Sequence, residues 1–226
     1  MSAELWKLLE WYKDNANKSQ THLAINSNLG GKKELIDRLV EAKQHVPQLD
    51  VYTSCEALSE QAEYIRDGLN WEYWWGNVIK LNQHGINTHC MMTINALCLD
   101  SMVEFLDWVL ELKREFGHNK PSFSVNILRF PSFQSPLILP DDLRNKFKGD
   151  IEKFLTTNSK WLEEMEVNQT QRLIDYLDVV KTPHAGAAEQ SELQKDFKTF
   201  YSQYDKRREK DFESTFPIIG EWYRGI

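Results

Sequence analysis

The sequence predicts an α/β protein made of successive β/α units, and three observations carry that prediction. Apolar runs within residues 23–28, 49–54, 91–95 and 123–130 read as short buried strands. The segments between them are long enough for parallel crossovers and too long for hairpins. The first three runs also stop at polar residues, where parallel α/β folds place their chemistry, because strand ends are rigid and the loops leaving them are free to carry reactive groups.

Taken in order, residues 3–14 set Leu5, Leu8, Leu9 and Tyr12 on one helical face, with Trp6 and Trp11 beside it, in a helix starting almost at Met1. Residues 21–26 form a strand centred on Leu23, Ala24 and Ile25. Asn28, Leu29, Gly30 and Gly31 follow as a turn sequence able to supply positive φ. A helix with Leu35, Ile36, Leu39 and Val40 inward comes next, and Pro47 ends it. The strand from Leu49 stops at Ser54 and Glu56 and passes into a helix that carries Ala62, Ile65 and Arg66 and closes at Gly68. Trp71, Trp74, Trp75, Val78 and Ile79 recur at three- and four-residue steps, the spacing of a buried helix face rather than of a ligand-stacking row.

Gly85 releases the chain into a third strand, INTHCMMTIN. Ser101 and Glu104 have the order of a capping box ahead of a helix burying Met102, Phe105, Leu106, Val109, Leu110 and Phe116. Pro121 breaks that helix, and FSVNILRF forms a fourth strand ending near Arg129. Residues 131–140, PSFQSPLILP, hold three of the seven prolines and predict an extended loop across one mouth of the sheet. Beyond it, residues 141–158, 159–181 and 190–214 read as helices, the last with Leu193, Phe197, Phe200, Tyr201 and Tyr204 on one side. TPHAGAA, residues 182–188, is a small-residue linker, and the tail FPIIGEWYRGI packs back onto the body. The chain thus divides into β/α units over residues 1–133 and a helical C-terminal extension over 134–226.

The 226 residues suffice for one good-sized domain with a helical annex, and 41% hydrophobic content is ordinary for a soluble globular protein. A net charge of -7 gives no electrostatic footprint for duplex nucleic acid or anionic lipid, which favours a small-molecule or protein substrate. Cys55, Cys90 and Cys98 are odd in number and lack paired spacing, so neither a disulfide framework nor a structural zinc site is expected. No signal-peptide pattern and no run of about 18 apolar residues is present, and the reading is a cytoplasmic protein without a membrane partner.

In a parallel barrel or half-barrel the carboxyl ends of the strands share one mouth. Asn26, Asn28, Ser54, Glu56, Thr93, Asn95 and Arg129 would then meet there. Amides and hydroxyls offer donors and acceptors, while carboxylate and guanidinium pair with ammonium and carboxylate, a set suited to a polar ligand with ribose hydroxyls and an amino-acid moiety. Taken singly, each residue also fits a strand-end turn or cap. His89 and Cys90 are neighbours on a strand, point to opposite faces and cannot jointly ligate a metal. No glycine-rich phosphate loop occurs, and Cys55 has no partnering histidine nearby. Lys206, Arg207, Arg208 and Lys210 alternate with acids as a solvated helix face does.

Between about residues 3 and 133, the order of motifs resembles the later part of the radical S-adenosylmethionine superfamily, especially members with a SPASM or twitch-type extension. LAINSNLG resembles the family's third strand, VYTSCEA the fourth, and AEYIRDGLNWEYWWGNVIKLNQHGI the stretch after it; INTHCMMTIN and FSVNILRF resemble the fifth and sixth. The resemblance implies a partial (β/α) barrel of four parallel strands. It implies Ser54 at the ribose or methionine part of S-adenosylmethionine, Glu56 and Arg66 assisting there, and Asn26 near the same pocket. It also implies reductive cleavage of that cofactor at a [4Fe–4S] cluster, hydrogen abstraction, and a peptide or protein substrate. The cluster-binding CxxxCxxC loop and the Gly-Gly-Glu turn are both missing from this sequence, and its three cysteines have neither the spacing nor the location of cluster ligands.

Three readings follow. The first is the C-terminal portion of a radical S-adenosylmethionine enzyme, with an upstream segment bearing the cluster, which would leave residues 23–26 at an open sheet edge. The second is a non-catalytic module of the same fold that binds S-adenosylmethionine or a protein. The third is an unrelated β/α-barrel hydrolase or isomerase using Glu56 as acid or base, although no second carboxylate stands at a convincing strand end.

Overall fold

The four apolar runs form one sheet of four parallel strands in sequential order. The computed structural model describes residues 3–15, 22–117, 120–179 and 189–226. In chain order the elements are α1 (Ala3–Asn15), β1 (His22–Asn26), α2 (Lys33–Ala42), β2 (Gln48–Ser54), α3 (Ser59–Ile65), α4 (Trp71–Gln83), β3 (Asn87–Ile94), α5 (Met102–Phe116) and β4 (Ser122–Ile127). The helical C-terminal part holds α6 (Asp141–Asn158), α7 (Glu164–Leu177), α8 (Gln190–Arg208), α9 (Phe212–Thr215) and α10 (Pro217–Gly225). The linker expected at 182–188 and the expected helix end at 180–181 lie outside the described residues, as do Met1 and Thr21.

Strand parity divides the sheet into two unlike faces. Leu49, Val51 and Thr53 of β2, Thr88, Cys90, Met92 and Ile94 of β3, and Phe123 and Val125 of β4 are buried. Helices cover this face: the Trp74 indole N–H donates to Thr53 Oγ1 at 2.9 Å, and the Asn82 amide donates to Thr88 Oγ1 at 2.7 Å. Each bond satisfies a hydroxyl that burial would otherwise leave unpaired, at a cost of about 1–3 kcal/mol. Trp71, Trp74 and Trp75 are all buried and stack on one another, so the tryptophan row is core. The alternate residues, among them Asp50, Tyr52, Ser54, Asn87, His89, Met91, Ser122 and Ser124, are only half-buried.

The two sheet edges also differ. Along β4, α7 takes the place of a neighbouring strand: Glu166 Oε1 accepts from the Phe123 N–H at 3.0 Å, Gln169 Oε1 accepts from the Val125 N–H at 2.7 Å, and Arg172 Nη2 donates to the Val125 carbonyl at 3.0 Å. Residues three apart on a helix share a face, so one stripe of α7 meets alternate residues of the strand. Glu166 also receives the ammonium of Lys113 from α5, and both side chains are fully buried. At the other edge stands β1, which among the described residues pairs only with β2.

Three local expectations are corrected, and a fourth is located at a particular residue. Ser101 precedes α5 but makes no capping bond; its hydroxyl instead accepts the Leu58 N–H at 3.1 Å, a partner 43 residues away. The capping box present is Glu163 with Glu166, at the start of α7. The turn after β1 supplies the expected positive φ, and it falls on Leu29, at 52°. Leu29 is completely buried, its carbonyl accepts from Asn77, and its N–H donates to Ser27 Oγ, so burial and hydrogen bonds offset the backbone strain. Residues 131–140 are not simply extended: they contain the 3₁₀ turns Ser132–Gln134 and Pro136–Ile138, with Leu137, Ile138 and Leu139 buried. The helix expected over 190–214 stops at Arg208, where Glu209 turns left-handed at φ 53°, and Asp211 caps the next short helix through the Ser214 N–H.

Candidate functional site

All four strands point the same way, so their carboxyl ends lie at one end of the sheet. Three of the expected site residues, Asn26, Ser54 and Thr93, fall on the half-buried face at that end. Asn26 is in register with Tyr52, and Ser54 lies two residues beyond Tyr52, so Asn26 and Ser54 are one diagonal step apart on the same face. Neither side chain forms a hydrogen bond with another described residue, and their amide and hydroxyl groups are available to a ligand.

Glu56, Arg66, Asn95, Asn28 and Arg129 are engaged in the protein itself. Glu56 is 3% exposed, and its carboxylate takes two bonds from Arg66, from Nε at 2.7 Å and from Nη2 at 3.1 Å. Burial pushes the Glu56 carboxyl above its ordinary value, against the pull of the Arg66 guanidinium. This fork-on-fork pair fixes the loop leaving β2 to the end of α3 and puts Glu56 out of reach of a substrate, which weighs against an acid or base role. Asn95 Oδ1 accepts the N–H groups of Leu97 at 2.9 Å and Cys98 at 3.1 Å, turning the chain out of β3. Asn28 Oδ1 accepts the Gly30 N–H at 3.2 Å in a similar turn. Arg129 lies beyond β4, is exposed, and stands 5.5 Å over the ring of Tyr176. The structure therefore brings Asn26 and Ser54 together on one face, pairs Glu56 with Arg66, and leaves Asn28, Asn95 and Arg129 in turns or against α7.

The C-terminal helices close over the region beside Glu56. Tyr64 of α3 donates to Asp205 at 2.6 Å, the Tyr204 hydroxyl donates to the Tyr64 carbonyl at 2.8 Å, and Gln61 donates to the Thr215 carbonyl at 3.0 Å. Asp100, in the turn after β3, accepts the Ile218 and Ile219 N–H groups, each at 3.2 Å. Phe197, Phe212 and Phe216 fill the space beneath them.

The cysteines do not fit an iron–sulfur cluster. Cys55, Cys90 and Cys98 are all completely buried. Burial pushes each thiol upward, Cys90 to about 12, whereas a cluster ligand must be a thiolate facing the metal. Two of the thiols are already bonded within the fold, Cys55 to the Ala57 carbonyl and Cys98 to Asn95. Among the described residues no group of three His, Cys, Asp or Glu side chains is arranged to hold a metal ion.

The half-buried face carries a row that motif reading overlooks. Register places Tyr52, His89 and Ser122 side by side on β2, β3 and β4. The Tyr52 and His89 rings lie 4.8 Å apart, and His89 Nδ1 is 2.7 Å from Ser122 Oγ. Burial, helped by the positive charge of Lys113, lowers the His89 pKa against the opposing pull of Asp50. One row away, His22 Nε2 is 2.6 Å from Asp50 Oδ2. The signal was the alternation itself: Gln48, Asp50, Tyr52 and Ser54 interleave with apolar residues, while parallel strands buried on both faces are apolar throughout.

No family model matches the chain, and no curated protein matches it. Among solved structures, it is similar to the crystal structure of a domain of pyruvate-formate lyase-activating enzyme from Bacteroides vulgatus ATCC 8482, with a TM-score of 0.39 and 10% sequence identity, over 66% of this chain and 86% of that one. No residue role is carried across from it. Among the described residues no helix is long and apolar enough to cross a membrane.

Proposed function

We propose that this chain is the C-terminal portion of a radical S-adenosylmethionine enzyme acting on a peptide or protein substrate, with the [4Fe–4S] cluster held by an upstream segment that brings its own cysteines. The observation that supports this reading best is the pairing of Asn26 and Ser54 at the carboxyl end of a polar, half-buried face of a parallel sheet. There the Ser54 hydroxyl and the Asn26 amide bind and orient the polar groups of S-adenosylmethionine. Glu56 and Arg66 act as positioning residues, their mutual bond fixing the loop that carries Ser54 into α3. Enzymes of this class cleave the bound cofactor reductively and abstract hydrogen from a substrate; among the described residues no group of three side chains is arranged to hold that redox centre.

The test is binding of S-adenosylmethionine to the iron-free chain by equilibrium dialysis. Saturable binding that weakens about tenfold in Ser54→Val and in Asn26→Ala is expected, the effect of one lost hydrogen bond to a polar ligand. Absence of saturable binding, or variants that bind as the parent does, overturns the proposal.

A second reading, a non-catalytic module that binds S-adenosylmethionine or a protein, is favoured by the sealing of all three cysteines in the core. Anaerobic reconstitution of an upstream-extended polypeptide separates the two: an iron–sulfur absorbance band belongs to the enzyme, and its absence to the module.

A further inference from the structure

Away from the sheet, α5 and α6 diverge around a half-open groove of about 380 Å³, and Ile218 of α10 closes one end. One wall comes from Leu99 and Asp100 of the turn after β3 and from Val103, Glu104 and Asp107 of α5, the last three at the three- and four-residue spacing of one helix face. The α6 wall carries Lys146, Phe147, Asp150, Lys153 and Phe154, again one stripe. Leu99, Phe147 and Phe154 are buried and form an apolar floor.

The charges on the two walls are opposite and do not meet. Lys146 pairs with Asp150 of its own helix at 2.8 Å. Glu104, Asp107 and Lys153 form no ion pair with any described residue, although the carboxylates and the ammonium border the same groove. Asp100 is already occupied by the Ile218 and Ile219 N–H groups. What remains is an apolar floor between two unpaired carboxylates, Glu104 and Asp107, on one side and one unpaired ammonium, Lys153, on the other. The volume lies at the lower end of the range for small-molecule sites, about 300–1,000 Å³.

We infer that this groove is a binding site for a zwitterionic α-amino acid with a large apolar side chain. The side chain lies over the floor made by Leu99, Phe147 and Phe154, the ammonium turns to Glu104 and Asp107, and the carboxylate turns to Lys153. A cation or an anion alone would satisfy one wall and leave the other unpaired, and a neutral apolar molecule would satisfy neither. This site is independent of the proposed S-adenosylmethionine function, and none of its residues belongs to the strand ends.

The experiment is isothermal titration of the full chain with L-phenylalanine, phenethylamine and hydrocinnamate, which keep the ring and drop one or the other charge. L-Phenylalanine is expected to bind with a Kd of about 1 mM or tighter, in keeping with its few non-hydrogen atoms. Removing the ligand carboxylate weakens binding about tenfold in the parent chain and has no further effect in Lys153→Met. Removing the ammonium behaves the same way against Glu104→Gln/Asp107→Asn. These positions are exposed, so unchanged thermal midpoints will show that the variants fold. No saturable phenylalanine binding, equal binding by all three probes, or full ligand discrimination in the variants overturns the inference. Self-association of the parent that Lys153→Met abolishes overturns it too, by identifying the occupant as a second copy of the chain.

Discussion

Lys113→Met tests whether α7 is held to the sheet by a buried charge pair. In the native protein the Lys113 ammonium and the Glu166 carboxylate are both fully buried, and Glu166 also accepts the Phe123 N–H at 3.0 Å and the Glu163 N–H at 2.9 Å. Methionine fills much of the lysine volume, so packing is largely kept while the carboxylate loses its countercharge. Breaking one side of such a pair costs about 3–5 kcal/mol, because a charge is left in the interior. With a urea slope of about 2–3 kcal/mol per molar, the upper part of the usual range, the unfolding midpoint should fall by about 1–2.5 M. Lys113→Met/Glu166→Gln removes the stranded charge while the amide oxygen still accepts the Phe123 N–H, and it should recover about half of the loss. Urea titration followed by tryptophan fluorescence measures all three chains. A single variant within about 1 kcal/mol of the parent, or a double variant worse than the single, refutes the reasoning.

Two further outcomes follow from buried titratable groups. Burial raises the Glu56 carboxyl above its ordinary 4.5, so the folded state holds the proton longer than the unfolded state. That group's contribution is complete below pH 4.5 and declines as pH rises through the folded value. Glu56→Gln should therefore flatten the fall in urea midpoint above pH 4.5, and equal slopes in parent and variant would dismiss the assignment. Cys55, Cys90 and Cys98 should be inert to an aromatic disulfide reagent at pH 8 in the native chain and should all react in denaturant. Fast labelling of any one in the native state would show that the core is more open than its packing indicates.

Strand identity and direction were legible because local signals suffice for them. Apolar runs separated by helix-length connections leave few arrangements besides a parallel sheet, and the three-residue and four-residue rhythm of Trp71, Trp74, Trp75 and Val78 marks a buried helix face. What escaped depended on distant partners. Ser101 has the local order of a capping box, yet its hydroxyl meets Leu58 from another β/α unit. Glu56 and Arg66 look like ligand groups when each is considered alone, but α3 sets them ten residues apart at bonding distance, where they satisfy each other. Leu29 takes the strained backbone position because its side chain reaches the core, something neighbouring glycines conceal. The polar face of the sheet was present in the alternation of β2 and β3, and only the register shows that Tyr52, His89 and Ser122 share a row.

The two edges of the sheet complete the argument about how this fold can be extended. The Ser27 N–H bonds the Tyr52 carbonyl at 2.9 Å, so by alternation Leu23 and Ile25 also turn their main-chain groups toward β2. Ala24 and Asn26 turn theirs away, and among the described residues no side chain or strand meets them. At β4 the corresponding groups are bonded by Glu166, Gln169 and Arg172, and the Lys113 ammonium holds the first of these in place. A strand seeking β4 would have to displace a helix along with a buried ion pair, whereas a strand seeking β1 displaces nothing described. Among the described residues β1 is therefore the less obstructed edge, and it is the side on which Asn26 stands beside the carboxyl end of β2.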